Sequence, residues 1–465
     1  MITVVEQTAW QLKLAALYER VAELPMTAIL DSSLNKNKGE QDENNRFSII
    51  GLYPYLILTE KDGVTYENNR AVKGSFEERL SAYVAAHFEE NETTLPLIAG
   101  GIGYFSYDYG RKFEKIKSRH QKEIDMPEAL FCFYENLIIY DHWQHTYTAT
   151  ARGILYPAEE SLRRLNQLIK TVPEQRTEIS DYAATISFDF TKEDYKKAVK
   201  EMMEHIVEGD IYIANMTQKM MIKSEMPPFT MFRRMRQSNP SPFGGYCHYG
   251  NVKVVSASPE RFLRMKNRVI ETKPIKGTRK RGTTAAEDAA LKKELAQSAK
   301  DRSELLMIVD LERNDLNRIC EAGSVKVEKH FEVQTFATVF HLVTTINGLC
   351  KEDCGYDGLL RAMFPGGSIT GAPKIEAMKI IDALEHSRRG LYTGSLGYIS
   401  LNGDCDFNIV IRTAVWQNGV YHVGIGGGIT AESEPTFEYE ETLQKGKAFM
   451  ELFKTGGFYD PYRIG

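Results

Sequence analysis

The chain has 465 residues, 42% of them hydrophobic, and a formal net charge of −5, enough apolar surface for one large core or two ordinary domains without help from disulfides or metals. Its basic residues are dispersed apart from Lys273, Lys276, Arg279, Lys280 and Arg281, which argues against a nucleic-acid partner. Six scattered cysteines make no disulfide framework, and Cys350 with Cys354 lacks the second Cys or His pair that a zinc site needs. Met1 to Leu17 is interrupted by Glu6, Gln7, Gln11 and Lys13, so it reads as neither signal peptide nor anchor, and no stretch approaches the ~20 apolar residues of a membrane span. A cytoplasmic globular protein without a membrane partner is expected.

In chain order, Phe47 to Leu58 and Tyr134 to Asp141 read as strands, rich in β-branched and aromatic residues and bounded by Gly, Asn or Asp. From Tyr156 to Asp189 the sequence turns polar and loop-like, with Pro157, Pro173, Glu174, Gln175 and Arg176. This predicts a boundary near residue 185, between a scaffold or regulatory region 1–185 and a catalytic region 186–465. Helices are expected after Thr191, with Asp194 three residues on, from Glu287 through Leu316, and after Ser433, with Pro435 opening the helix. Gly397 to Leu401 is a further strand. Strands that do not alternate regularly with helices indicate an α+β fold with large, mostly antiparallel sheets in a sandwich-like core flanked by helices.

The residues suited to chemistry lie beyond the expected boundary. Glu260, in Ser258-Pro-Glu-Arg-Phe-Leu263, sits at a strand–turn junction where a carboxylate can act as general acid or base. Lys276 precedes Gly277 in a stretch punctuated by Pro274 and reads as a loop. It is either a nucleophile, its pKa lowered by desolvation or by cations such as Lys273 and Arg279, or part of a charged surface. Glu304 borders the apolar Leu305, Leu306, Ile308 and Val309, and is either paired with Arg302 or Arg313 or binds a ligand. Gly366 to Lys374 lacks the ending of a P-loop and Gly424 to Gly428 lacks dinucleotide spacing, so ATP and NAD are rejected. The run Tyr421 to Ile429 enters consecutive glycines that form either an anion-binding nest or a tight strand turn. Glu438, Glu441 and Lys445, at i, i+3 and i+7, fall within about 60° around a helix. That face is either solvated or supplies oxygen ligands to Mg²⁺, with Glu304 as the second source of carboxylate.

Pro274-Ile-Lys-Gly-Thr278, Asp310-Leu-Glu-Arg-Asn-Asp315, Phe364 to Lys374, Asn408 to Thr413, Gly426-Gly-Gly428 and Glu438-Tyr-Glu-Glu-Thr442 together resemble the chorismate-utilising enzymes. That family includes anthranilate, isochorismate, salicylate and aminodeoxychorismate synthases. Leu30-Asp-Ser32, Arg46 to Gly51 and Gly103 to Asp108 extend the resemblance toward the N-terminus. It implies the fold of anthranilate synthase component I. Within the family, a lysine between Ile and Gly marks aminodeoxychorismate synthases, where anthranilate synthases have alanine, so Lys276 indicates the former. The resemblance further implies Glu304 and Glu441, with Glu438, as Mg²⁺ ligands. Arg412, Tyr392 and the amides of Gly426, Gly427 and Gly428 would bind the enolpyruvyl carboxylate, with His341, Ser368 and Lys445 lining the pocket. Lys276 would be the nucleophile and Glu260 would move protons. Gly209 to Asn215 lacks the water-activating lysine of salicylate and isochorismate synthases. No Gly-x-Cys-x-Gly elbow is present, so a separate glutamine amidotransferase subunit is expected to supply ammonia. With the chain ending soon after the Glu438 helix, pyruvate release, toward p-aminobenzoate and folate, is expected to need another enzyme. Asp31, where relatives carry Glu, puts tryptophan binding by Asp31, Ser32 and Arg46 in question. The competing readings are anthranilate synthase component I and a non-catalytic ligand-binding homologue.

Overall fold

The computed structural model describes residues 2–34, 43–171, 181–335 and 339–453. Twenty-two strands among these residues form one hydrogen-bonded network in which every named pair runs antiparallel, and eleven α-helices pack against it. The longest pair, Phe47–Lys61 with Ala129–Asp141, contains both predicted strands, the first running on past Leu58 and the second beginning before Tyr134. No helix among the described residues is long and apolar enough to cross a membrane.

The sheet runs through both sides of residue 185. Ala28–Asp31 pairs with Phe243–Tyr249, and Gly100–Phe105 pairs with Ser395–Ser400. The apolar cores do the same. One joins Phe105 and Phe131 to Leu305, Val309 and Leu316, and another joins Leu17, Ile138 and Leu165 to Met220, Val423 and Phe449. The loop-like reading of Tyr156 to Asp189 needs correction: Ala158–Thr171 is a helix that buries Leu162, Leu165 and Ile169 at i, i+3 and i+7. Pro173 to Arg176 lie outside the described residues.

The helix after Thr191 is Lys192–Glu208, with Thr191 Oγ1 accepting from the Asp194 N–H at 3.2 Å. The single helix expected from Glu287 to Leu316 is two, Ala285–Gln297 and Ala299–Ile319. Ser298 breaks it by leaving helical geometry (φ −62°, ψ 109°) and capping the second helix through Asp301 N–H. The break lets the longer helix set its own direction and carry Glu304 to the sheet.

Candidate functional site

The floor of the site is backbone. Val420–Ile429 pairs residue for residue with residues 214–223, so Gly426, Gly427 and Gly428 lie opposite Thr217, Met216 and Asn215. None of the three has positive φ. The run is therefore neither nest nor turn: the ladder holds the glycines extended, and their role is to have no side chain. A Cβ at Gly426 would stand 2.4 Å from the Met216 carbonyl oxygen. One at Gly427 would stand 3.1 Å from Glu441 Oε1, 3.4 Å from Lys445 Nζ and 3.5 Å from Glu438 Oε2, and one at Gly428 3.3 Å from Lys276 Nζ. Three side chains thus approach the bare backbone at Gly427, and the Lys276 amine approaches it at Gly428, on the other face of the strand.

The spacing of Glu438, Glu441 and Lys445 on Pro435–Met450 does put them together. Lys445 Nζ is 2.6 Å from Glu441 Oε1 and donates to the Gly426 carbonyl at 2.7 Å. The helix cap is Glu434 rather than Ser433, accepting from Thr436 and Phe437 N–H. Ser433 instead donates to Glu438 Oε1 at 2.7 Å and fixes that carboxylate. Glu304 faces these groups from Ala299–Ile319. Arg302 lies over Phe331 and Arg313 pairs with Asp310, so neither is its counter-charge; Lys300 Nζ stands 4.0 Å away and Lys276 also acts on it. Burial raises the pKa of Glu304 and of Glu438, and the charge of Glu441 adds to both. Three carboxylates held against mutual repulsion fit a hard divalent cation. Their oxygens do not form a cage of three donors within 4.8 Å of one another; among the described residues only the half-buried His205 with the exposed Glu208 and Asp210 does. An Mg²⁺ held by Glu304, Glu438 and Glu441 would thus complete its shell with substrate oxygens and water.

Lys276 lies in a strand, Ile275–Lys280, rather than a loop, and a bulge at Gly277 (φ 75°) breaks its register with Val339–Leu349. The two expected neighbouring cations are engaged elsewhere, Lys273 with Glu271 and Arg279 with Glu294 and Asp301. Burial lowers the Lys276 pKa and Lys445 adds to the effect, against the pull of Glu304, Glu260 and Glu441. Glu260 sits between Val252–Ser258 and Arg261–Lys266, with its carboxyl pushed up to about 7 by burial. Ser368 Oγ donates to Glu260 Oε1 at 2.8 Å, and the Ser368 carbonyl lies 3.5 Å from Lys276 Nζ. A lysine with a lowered pKa beside a carboxyl titrating near neutrality is an arrangement for nucleophilic attack with proton transfer.

His341 is buried, hydrogen-bonded through Nδ1 to Thr278 Oγ1 at 3.0 Å, and pushed down to about 4 by burial and by the charge of Arg412. The Arg412 guanidinium makes no hydrogen bond or ion pair with the described residues, and burial lowers its pKa. A desolvated guanidinium without an anion is a seat for a carboxylate. Tyr392 lies against the strip, where a Cβ at Gly424 would be 2.2 Å from its ring.

The residues 37–451 match the model of the chorismate binding enzyme family. This chain belongs to that family. It is 34% identical to aminodeoxychorismate synthase component 1 of Bacillus subtilis over 428 residues, covering 89% of this chain and 91% of the relative. Its identity to anthranilate synthase component 1 of Acetivibrio thermocellus is 33% over 433 residues, covering 89% and 88%. A solved anthranilate synthase component I from Streptococcus pneumoniae superposes with a TM-score of 0.79 at 30% identity, covering 89% of this chain and 94% of that one. Relatives of both names stand at similar identity, so similarity establishes a chorismate-utilising synthase and leaves the product open.

Of the N-terminal trio, Asp31 is buried and held by Tyr18 Oη (2.7 Å), Arg236 Nε (2.9 Å) and Ser48 Oγ (3.4 Å). Ser32 Oγ donates to the Pro242 carbonyl, while Arg46 forks onto Asp141. Asp31 and Ser32 line one cleft that Arg46 does not join. A residue given no role in the sequence reading is Glu312, buried, pushed up to about 8 by burial and reached by the charge of Glu260, with Oε2 2.7 Å from Thr272 Oγ1. The sequence signal was its place on the apolar stripe of its helix, three residues after Val309 and four before Leu316.

Proposed function

We propose that this chain is the synthase component that converts chorismate and ammonia to 4-amino-4-deoxychorismate. The observation carrying this reading is the placement of Lys276 Nζ over Gly428, beside the Ser368 carbonyl and within the fields of Glu260 and Glu304. Arg412 would take the enolpyruvyl carboxylate, beside Tyr392, with His341 and Ser368 lining the pocket. Mg²⁺ bound by Glu304, Glu438 and Glu441 would supply charge neutralisation for the ring carboxylate.

Neutral Lys276 attacks C2 of chorismate, the ring double bonds shift, and the C4 hydroxyl departs as water with a proton from Glu260. Ammonia then adds at C4, the bonds shift back, and the C2–N bond breaks to free Lys276. Glu260 recovers its proton from the new ammonium group, so the sum is chorismate plus ammonia giving aminodeoxychorismate plus water. A glutamine amidotransferase subunit in the cytoplasm would supply the ammonia, and the product leads to p-aminobenzoate and folate. The relatives' names equally support anthranilate as product, which Lys276 disfavours.

The test is to incubate the purified chain with chorismate, Mg²⁺ and ammonium and identify the product by mass and chromatography. Aminodeoxychorismate supports the reading. Anthranilate would show that Lys276 does not set the product, and no conversion, even with a glutaminase partner and glutamine, would favour a silent binding protein.

A further inference from the structure

The helix Ala299–Ile319 meets both of the structures that hold Glu260, the strand that follows it and the turn that hydrogen-bonds it. Toward the strand, Thr272 Oγ1 stands 2.7 Å from Glu312 Oε2 and 3.0 Å from the carbonyl oxygen of Phe262, two residues beyond Glu260. Toward the turn, Gly367–Ile369, the helix comes close because Gly367 is bare: a Cβ there would stand 2.6 Å from Leu311 Cδ2 and 3.9 Å from Glu312 Cγ. The next residue, Ser368, is the one whose hydroxyl donates to Glu260. Glu312, Thr272 and Phe262 are all buried.

The threonine hydroxyl has a single hydrogen and stands between two oxygens. Were Glu312 ionised, that hydrogen would serve either the carboxylate or the carbonyl, and the other would be left buried without it. With a proton on Glu312 Oε2, the acid donates to Thr272 Oγ1 and Thr272 donates to the Phe262 carbonyl, so every member of the chain is served. No counter-charge favours the ion. Glu312 makes no ion pair with the described residues, and Lys374, whose charge reaches it, is held by Asp315 at 2.6 Å. Burial and the charge of Glu260 act in the same direction as the hydrogen-bond count and leave Glu312 protonated at pH 7.

We propose that Glu312 is a positioning residue for Glu260 and works as a neutral acid: its proton completes the chain from Glu312 through Thr272 to the Phe262 carbonyl, clamping the helix onto the strand that leaves Glu260 while the same helix backs the turn of Ser368. Two neighbouring buried carboxyls do not readily ionise together, so a neutral Glu312 leaves Glu260 as the one that exchanges a proton during turnover. The clamp rests on the reading of Glu260 as the proton carrier of an amination, though not on which aminated product forms.

The test compares Glu312→Leu, which has no proton to donate, with Glu312→Gln, whose amide N–H can still donate to Thr272 Oγ1. In the full chain with chorismate, Mg²⁺ and ammonium, Glu312→Leu should lower kcat about tenfold, a barrier rise of ~1.4 kcal/mol, with the KM for chorismate unchanged, and Glu312→Gln should restore most of that loss. Infrared difference spectra of the wild type against Glu312→Gln at pH 7 should show the carbonyl band of a protonated carboxylic acid, shifted in Thr272→Val. Absence of that band, or a Glu312→Gln as slow as Glu312→Leu, would show that Glu312 acts as an ion and would overturn the proposal while the amination reading stands. A Glu312→Leu with the wild-type kcat would overturn it as well. Should Glu312→Leu fail to fold, Thr272→Val, which removes the middle link, takes its place with the same expected loss. A wild-type chain that aminates chorismate under no condition would sink both.

Discussion

Replacing Glu260 by Gln gives a direct measure of how strongly the site is desolvated. Burial lifts this carboxyl from its usual 4.5 to about 7. A carboxyl raised in the folded state contributes its full stability below the unfolded pKa and loses it as pH climbs through the folded one. At ~1.4 kcal/mol per pH unit, the wild type should lose roughly 3 kcal/mol between about pH 4.5 and pH 7.5 from this residue alone. Gln carries no charge at any pH and escapes that loss, while other titrations common to both proteins cancel in the difference. Urea denaturation of both proteins at the two pH values is the assay. Glu260→Gln should gain on the wild type as pH rises, by roughly 3 kcal/mol, and lose turnover throughout. A stability gap independent of pH would show that Glu260 titrates no higher in the folded protein than in the unfolded chain and would refute the desolvation argument.

Lys276→Ala should abolish amination while chorismate and Mg²⁺ still bind, measured by equilibrium binding beside product assay; full retained synthesis would contradict the role of the lysine. Gly427→Ala places a Cβ 3.1 Å from Glu441 Oε1 and should weaken Mg²⁺ activation by about tenfold, read from a Mg²⁺ titration. Arg412→Met removes a desolvated, unpaired charge, so the ligand-free protein should become more stable by about 1 kcal/mol while the KM for chorismate rises. In the same variant the His341 pKa, now about 4, should move upward without reaching the ordinary histidine value, because burial remains; NMR titration checks this. Ser298→Ala should cost about 1 kcal/mol by uncapping the Ala299–Ile319 helix, seen in thermal unfolding.

The sequence was most informative where one local device decides structure. Thr191 and Asp194 announced a helix because their contact lies within one turn. The break at Ser298 was hidden because apolar spacing continues across it, and the Ala158–Thr171 helix was hidden because Glu159, Glu160, Arg163 and Arg164 outweigh its thin apolar stripe. Lys276 read as a loop because Pro274 and Gly277 punctuate it, yet Gly277 serves a bulge within a strand. In the site, the face of Glu438, Glu441 and Lys445 was legible from helical spacing. What faces it was not: Glu304 and Lys276 arrive from segments more than a hundred residues away, and their local sequence pointed to other charges. Glu312 combined both difficulties, a carboxylate whose position on the stripe signals burial but whose proximity to Glu260 depends on tertiary packing.

A binding surface made of extended, paired backbone has no side chain through which selection can retune it. Any substitution of Gly426, Gly427 or Gly428 changes the room available before it changes the chemistry, and at Gly426 it collides with the neighbouring strand. Diversification of product among proteins with such a floor is therefore confined to what overhangs it. Exchanging overhanging groups such as Lys276, while leaving the strip intact, is the economical way to redirect this scaffold from one nucleophile to another.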